Sequence, residues 1–180
     1  MSEKVKKQVK EVFAWILTIA LAIVAAKFIN KYVIIKAEVP TGSMESTIEV
    51  DDCILGFQQA YLFSEPKRGD IVIFPWPDNP SVTYVKRIIG LPGETVEIKE
   101  GAVYIDGTPI AEDYLREEMY GTYGPYVVPE SCYFMMGDNR NTSQDSRKWE
   151  NTFLREEDIM AKVLFRYSPD FHWFSDVEYE

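Results

Sequence analysis

The feature that most constrains this chain is an uncharged run near its start. VFAWILTIALAIVAA occupies residues 12–26, and apolar character resumes after Lys27 as FINKYVII, residues 28–35. The strict run is 15 residues, short of the ~20 a full bilayer span needs. Counted through Ile35 it is 24 residues, or roughly 36 Å of helix, which suffices. Lys27 and Lys31 lie four apart, on one helical face, and can snorkel to an interface. The residues therefore predict a short basic tail (1–11), one transmembrane anchor (12–35) and a folded body (36–180). A cleavable secretory signal shares the basic start and the small residues near Ala22 and Ala26; the persistence of apolar residues past Ala26 favours an uncleaved anchor. A buried core helix of a soluble domain is the bland alternative.

Charge divides the chain at the same place. Residues 1–36 hold seven Lys and two Glu, so of a total of −10 the remainder carries −15. A basic head on an acidic body suits a membrane-facing N-terminus and argues against nucleic-acid binding, which needs a basic patch on the folded part. Four lysines before the run favour a cytoplasmic N-terminus with the body outside, although Lys27, Lys31 and Lys36 weaken that bias. With 46% apolar and 14% aromatic residues, the body can bury a core. Cys53 and Cys132 form no C-x-x-C pair and cannot complete a four-ligand zinc site with the lone His172. They are expected as packed free thiols, a disulfide being the alternative in an exported body, and no metal or cofactor is expected.

After Pro40 the signals are short strands and tight turns. IVIF (71–74) is a β-branched run closed by PWPDNP, a loop no helix could contain. TVEIK (95–99) alternates, and Asp106-Gly107 between AVYI and TPI is a strong two-residue hairpin signal. CYFMM (132–136) and AKVLFRY (161–167) are further strand candidates. Helix signals are few, a turn near residues 155–159. The Tyr- and Gly-rich stretch 113–126 is expected as a surface loop. The fold class is mostly β: an antiparallel, barrel-like domain with a small inserted β subdomain at about 95–131, preceded by one transmembrane helix.

The candidate chemistry starts from VPTGSMESTIEVD (39–51), crowded with hydroxyls just past the apolar run. No H-E-x-x-H, P-loop, G-x-G-x-x-G or G-x-S-x-G elbow is present. His172 stands near the C-terminus and reads as an ordinary surface or packing residue. A serine nucleophile would then need another base. Lysine can serve only when neutral, and with a pKa near 10.4 it is neutral in roughly one molecule in 2,500 at pH 7. Burial can lower that pKa. Alternation in VTYVKRII (82–89) puts Lys86 on one strand face with Val82, Tyr84 and Ile88. From this strand alone, an edge lysine that snorkels to water is the better explanation of the pattern. GDNRNTSQDSR (137–147) follows an apolar strand and reads either as a hydrogen-bonded turn or as a fixed ion-pair network.

Together these pieces resemble a known family. A membrane run, PTGSMxxTI, RGDIVIF, YVKRIIGLPGE and GDNRNTSQDSR, in that order, are similar to the type I signal peptidases of bacteria, and the short length resembles the compact Gram-positive members. The resemblance implies a Ser/Lys endopeptidase that removes signal peptides from exported preproteins after Ala-x-Ala sites. It makes Ser43 the nucleophile and Lys86 the general base. It assigns the Thr41 hydroxyl and Ser43 N–H to the oxyanion hole, and Ser143 to orienting the lysine. Arg87, Asp138, Asp145 and Arg147 would buttress the site through ion pairs. Val39, Met44, Ile48, Tyr84 and Val85 would line the substrate pockets. The implied partners are signal peptides, the bilayer and the export translocon, at the cell membrane with the catalytic domain extracytoplasmic. Where the family often has proline, three residues after the nucleophile, this chain has Ser46. Two other readings share features: a repressor-type self-cleaving protease with the same dyad, and a membrane-tethered β domain that only binds.

Overall fold

In a computed structural model, which describes residues 3–174, Val177 and Tyr179, a single long helix precedes an all-antiparallel β body. Met1 and Ser2 of the expected tail, and Ser175, Asp176, Glu178 and Glu180 of the expected body, lie outside the described residues. Helix α1 covers Glu3–Tyr32. It starts inside the stretch expected as a basic tail and stops three residues before the expected end of the anchor. Ile34 and Ile35 belong instead to strand β1 (Ile34–Glu38), as β-branched residues that suit a pleated strand. The span Lys6–Tyr32 is long and apolar enough to cross a membrane, and none of its most apolar window is buried against the β body.

The main sheet runs β1, β2 (Cys53–Phe57), β11 (Ala161–Ser168), β3 (Ile71–Trp76), β4 (Asn79–Gly90), β9 (Cys132–Met136) and β10 (Leu154–Arg155), with β12 (His172–Trp173) paired to β11. A second sheet is built between β4 and β9 in the order β7 (Thr108–Pro109), β6 (Ala102–Ile105), β5 (Thr95–Lys99) and β8 (Tyr123–Val127). The Asp106-Gly107 turn joins β6 to β7 with both residues at positive φ, 50° and 82°, as a type I′ hairpin requires. The turn near residues 155–159 is a single 3₁₀ turn, Glu156–Asp158.

Strand β3 shows why the sequence there is apolar without alternation. Ile71 and Ile73 face one core cluster with Val39, Met44, Ile48 and Ile54, while Val72 and Phe74 face another with Ile88, Tyr133, Met135 and Trp149. Both faces of the strand are covered, so both sets must be apolar. A third cluster, including Ile89, Val96, Ile98, Val103 and Phe134, joins the second sheet to the main one. Strand β4 crosses from solvent to core: residues 79–83 are exposed, Tyr84 and Val85 half-buried, and Lys86 to Gly90 buried.

The stretch 113–126 is not simply a surface loop. Met119 is buried in the third cluster, β8 begins at Tyr123, and Tyr114 tucks inward to stack on Arg87, its ring 4.0 Å from the guanidinium carbon. That loop is held by a partner 27 positions away in sequence, which no local pattern announces.

Candidate active site

Two elements of different origin meet at the site. Ser43 lies in a 3₁₀ turn, Gly42–Met44, entered through an extended Thr41. Lys86 lies on β4 where the strand passes into the core. The turn is pinned from below and from the side. Met44 is fully buried beside Val39 and Ile48. Asn139 donates its N–H to Ser43 O (3.1 Å) and its Nδ2 to Gly42 O (3.0 Å). Gly137 is needed for this approach: any Cβ there would collide with Ser43 O and with Ser143 Oγ.

Lys86 Nζ stands 2.5 Å from Ser43 Oγ and donates a second bond to Val85 O at 3.1 Å. It also lies 5.0 Å from the centroid of the Tyr84 ring. The residue is 3% exposed. Burial pulls its pKa down to about 8, while Asp145 and Asp138 act in the opposite sense and do not win. Among the described residues no carboxylate bonds Nζ directly. A charged lysine would donate to Ser43 Oγ; once neutral, its lone pair can accept the Ser43 proton instead.

Alternation sends Arg87 to the opposite face of β4. There it forms a bidentate pair with Asp138, Nε to Oδ1 at 2.8 Å and Nη2 to Oδ2 at 2.6 Å, and donates Nη1 to Gly69 O at 2.8 Å. Thr47 Oγ1 donates to Asp138 Oδ2 at 2.5 Å. Burial works against the Arg87 charge, yet Asp138 beside it holds its pKa above the ordinary arginine range. A second bidentate pair joins Arg147 to Asp145, at 2.8 and 2.7 Å, and Asp145 Oδ2 also accepts the Gly137 N–H. The expected partners are thus brought together as two pairs, Arg87–Asp138 and Arg147–Asp145.

A third pair has a signal in the sequence for only one of its partners. Arg140, 1% exposed, is bidentate to Glu112, both bonds 2.6 Å. Tyr114 donates its hydroxyl to Glu112, and its oxygen lies 3.2 Å from that of Tyr179. Arg140 sits in the polar run already singled out, but Glu112 is 28 residues distant in a stretch with no motif.

Ser43, Lys86 and a groove of about 520 Å³ coincide. Thr41, Val39, Met44, Tyr84 and Val85 line that groove. Ile48 does not: it is fully buried beneath the floor, packed with Met44. Its apolar character serves the core, so its expected place among the pocket residues is corrected. Thr41 is exposed and its side chain caps nothing. Ser143 is fully buried, but its Oγ makes no hydrogen bond. The expected direct bond to Lys86 is therefore not formed here; Nζ bonds Ser43 Oγ and Val85 O instead. Among the described residues, no three His, Cys, Asp or Glu side chains gather as a metal would require. His172 is exposed on β12 and lies outside the groove. Both cysteines are free thiols.

The groove runs between two strand edges. β1 ends the main sheet, so among the described residues its outer edge is unpaired. β4 pairs with β9 only from Arg87 onward, and no described strand covers the same edge of residues 82–85.

Residues 12–168 match the family described as signal peptidase, peptidase S26. Signal peptidase I of Leptolyngbya laminosa is 37% identical over 159 residues, covering 84% of this chain and 77% of that protein. Signal peptidase I of Bacillus licheniformis is 38% identical over 155 residues, covering 81% and 83%. A crystal structure of a signal peptidase I from Enterococcus faecalis is 35% identical with a TM-score of 0.49, covering 55% of this chain and 97% of that one.

Proposed function

The chain belongs to the signal peptidase, peptidase S26, family, and from that premise we propose that Ser43 and Lys86 are its catalytic dyad. It is a serine endopeptidase that removes signal peptides from preproteins, and Ser/Lys chemistry is general to the family. The observation that carries the assignment is the 2.5 Å approach of Lys86 Nζ to Ser43 Oγ with the lysine 3% exposed.

Neutral Lys86 takes the Ser43 proton as Oγ attacks the scissile carbonyl carbon. The tetrahedral oxyanion is held by the Ser43 N–H and by the hydroxyl of Thr41, whose side chain does not cap the nucleophile turn. Collapse breaks the C–N bond, and the amine of the mature protein leaves with the proton from Lys86. Lys86 then deprotonates a water, which attacks the acyl carbon; the ester C–Oγ bond breaks, Lys86 returns the proton to Ser43 Oγ, and the signal peptide leaves with a free carboxyl end. Acylation removes the Ser43 hydroxyl as a partner of Nζ. The buried, unbonded Ser143 hydroxyl, which crowds Gly137 beside Ser43 O, is the group we assign to orienting the lysine in that second half.

The free edges of β1 and β4 suit a substrate bound as an added strand, with main-chain bonds supplying affinity. In an extended peptide alternate residues face the same way. The first and third residues before the cut would point to Val39, Met44, Tyr84 and Val85, and the second would point away. Shallow apolar pockets with that spacing give an Ala-x-Ala rule. The catalytic unit starts with β1 at Ile34, two residues before the expected boundary at 36, with the second sheet inserted at about 95–131. Lys4, Lys6, Lys7 and Lys10 before the apolar run support a single-pass anchor with the N-terminus in the cytoplasm, the catalytic domain outside at the cell membrane, and substrates arriving from the export translocon.

The test is turnover of a labelled Ala-x-Ala peptide by the full-length protein in detergent. Wild type should cleave it, and Ser43→Ala and Lys86→Ala should each lose activity by at least about 10³-fold. Activity surviving in folded Ser43→Ala would remove the nucleophile.

A further inference from the structure

The lining of the groove falls into two chemical sets. One is apolar, Val39 with Val82, Tyr84 and Val85 of β4; the other is polar, Glu45 of the nucleophile turn with Asn139, Thr142 and Gln144 of the loop after β9. Small apolar residues before the cut suit the first set. The chain after the cut, which becomes the N-terminus of the mature protein, is then left to the polar set. Nothing in the dyad chemistry accounts for a carboxylate there.

Glu45 is placed with some care. Its N–H bonds Gly42 O at 3.2 Å, and Asn139 Nδ2 bonds both Gly42 O (3.0 Å) and Glu45 Oε2 (3.1 Å). A Cβ added to Gly42 would stand 2.5 Å from Glu45 Oε1. The carboxylate therefore folds back over the residue that precedes the nucleophile, and a side chain at Gly42 would push it out of that position. Most buried or half-buried acids of this protein have a cation: Asp138 has Arg87, Glu112 has Arg140, Asp145 has Arg147, Glu94 has Arg68. Glu45 pairs with no cation among the described residues. Lys148, which bonds Ser143 O, does not line the groove. Glu45 is also absent from the charges that act on Lys86, which are Asp145 and Asp138, so it is not there to tune the base.

We propose that Glu45, held by Asn139, is a specificity residue for the first positions after the scissile bond, favouring cationic over acidic side chains there. This rests on the Ser/Lys reading of the groove. The other carboxylate in the lining, Glu38, is exposed on β1 next to Val39 of the apolar set; it acts on residues before the cut and is common to any series that varies only the residue after it.

The experiment uses three labelled peptides, identical up to the cut and carrying Ala, Lys or Asp immediately after it. The quantity read is the ratio of kcat/KM for the Lys and Asp peptides, in which any general loss of activity cancels. Wild type should prefer Lys over Asp by about tenfold at low salt, falling to about twofold in 1 M salt as the charges are screened. Glu45→Gln should bring the low-salt ratio to about twofold, and Glu45→Lys should invert it, both with the pH midpoint of kcat/KM unmoved. Equal cleavage of the Lys and Asp peptides by wild type would overturn the inference. So would a full preference retained in Glu45→Gln, which would assign it to the net charge of −10 acting as a whole. Failure to cleave even the Ala peptide would sink the Ser/Lys reading and this inference with it; cleavage of all three at one rate would sink the inference alone.

Discussion

A lysine can be a base at neutral pH only if its surroundings make its charge costly, and Lys86 meets that condition through burial. Two carboxylates lie close enough to oppose the effect, yet neither bonds Nζ; each is engaged by its own arginine. The arginines thus serve the lysine indirectly, by keeping Asp138 and Asp145 occupied. Thr41 contributes at the same scale. With its side chain lining the groove and not capping the nucleophile turn, Thr41→Val should lower kcat by about 10²–10³-fold, the usual cost of one oxyanion donor, while Thr41→Ser should retain most of it. Steady-state kinetics on the peptide would show this, and a Thr41→Val enzyme within twofold of wild type would remove the residue from the oxyanion hole.

Elements convert these side chains into a site. β4 delivers Lys86 to the groove and Arg87 to the interior, and the loop after β9 returns Asp138 to Arg87 and Asn139 to the nucleophile turn. The Arg87–Asp138 pair is therefore a clamp between strand and loop. Asp138→Asn would leave the Arg87 charge buried without its partner, and should cost about 3–5 kcal/mol in urea unfolding; a loss under about 1 kcal/mol would show that the pair does not hold the loop. The sequence made most of this visible where the physics is local. Alternation in 82–89 placed Lys86 and Arg87 on opposite faces, and Asp106-Gly107 marked its hairpin. It failed where the cause is distant. Tyr114 and Glu112 are ordinary loop residues until Arg87 and Arg140 arrive from other elements. Ile48 is expected in the pocket only by the family resemblance, and in the fold it is fully buried with Met44 and does not line the groove. Ser46 replaces a frequent family proline, and its φ of 95° lies where the proline ring cannot go, so the turn after the nucleophile follows its own path here.

At the scale of the whole molecule, helix and body are distinct in construction. None of the three core clusters takes a residue from α1, and the contacts at its end are few, such as Gln58 and Gln59 bonding the carbonyls of Lys31 and Tyr32. The helix therefore positions the body rather than completing its core. Ser43 lies eight residues past Ile35, within roughly 28 Å of it even if that link were fully extended, so the groove stays near the end of the apolar helix. A protein lacking residues 3–30 should cleave a short soluble peptide within about threefold of the full chain. Its rate on a preprotein embedded in vesicles should fall by about 10²-fold or more, because the effective concentration from tethering is gone. Equal loss on both substrates would mean that the helix supports the fold of the site.

The most direct test of the central claim, that burial makes Lys86 the base, is the pH dependence of kcat/KM on the Ala-x-Ala peptide. Only the neutral lysine can accept the Ser43 proton, so activity should rise with pH, about tenfold per unit on the acid side, bend near 8 where burial has set the Lys86 pKa, and level above about 9. A profile flat from pH 6 to 9, or one still climbing toward the unperturbed lysine value near 10.4, would contradict it.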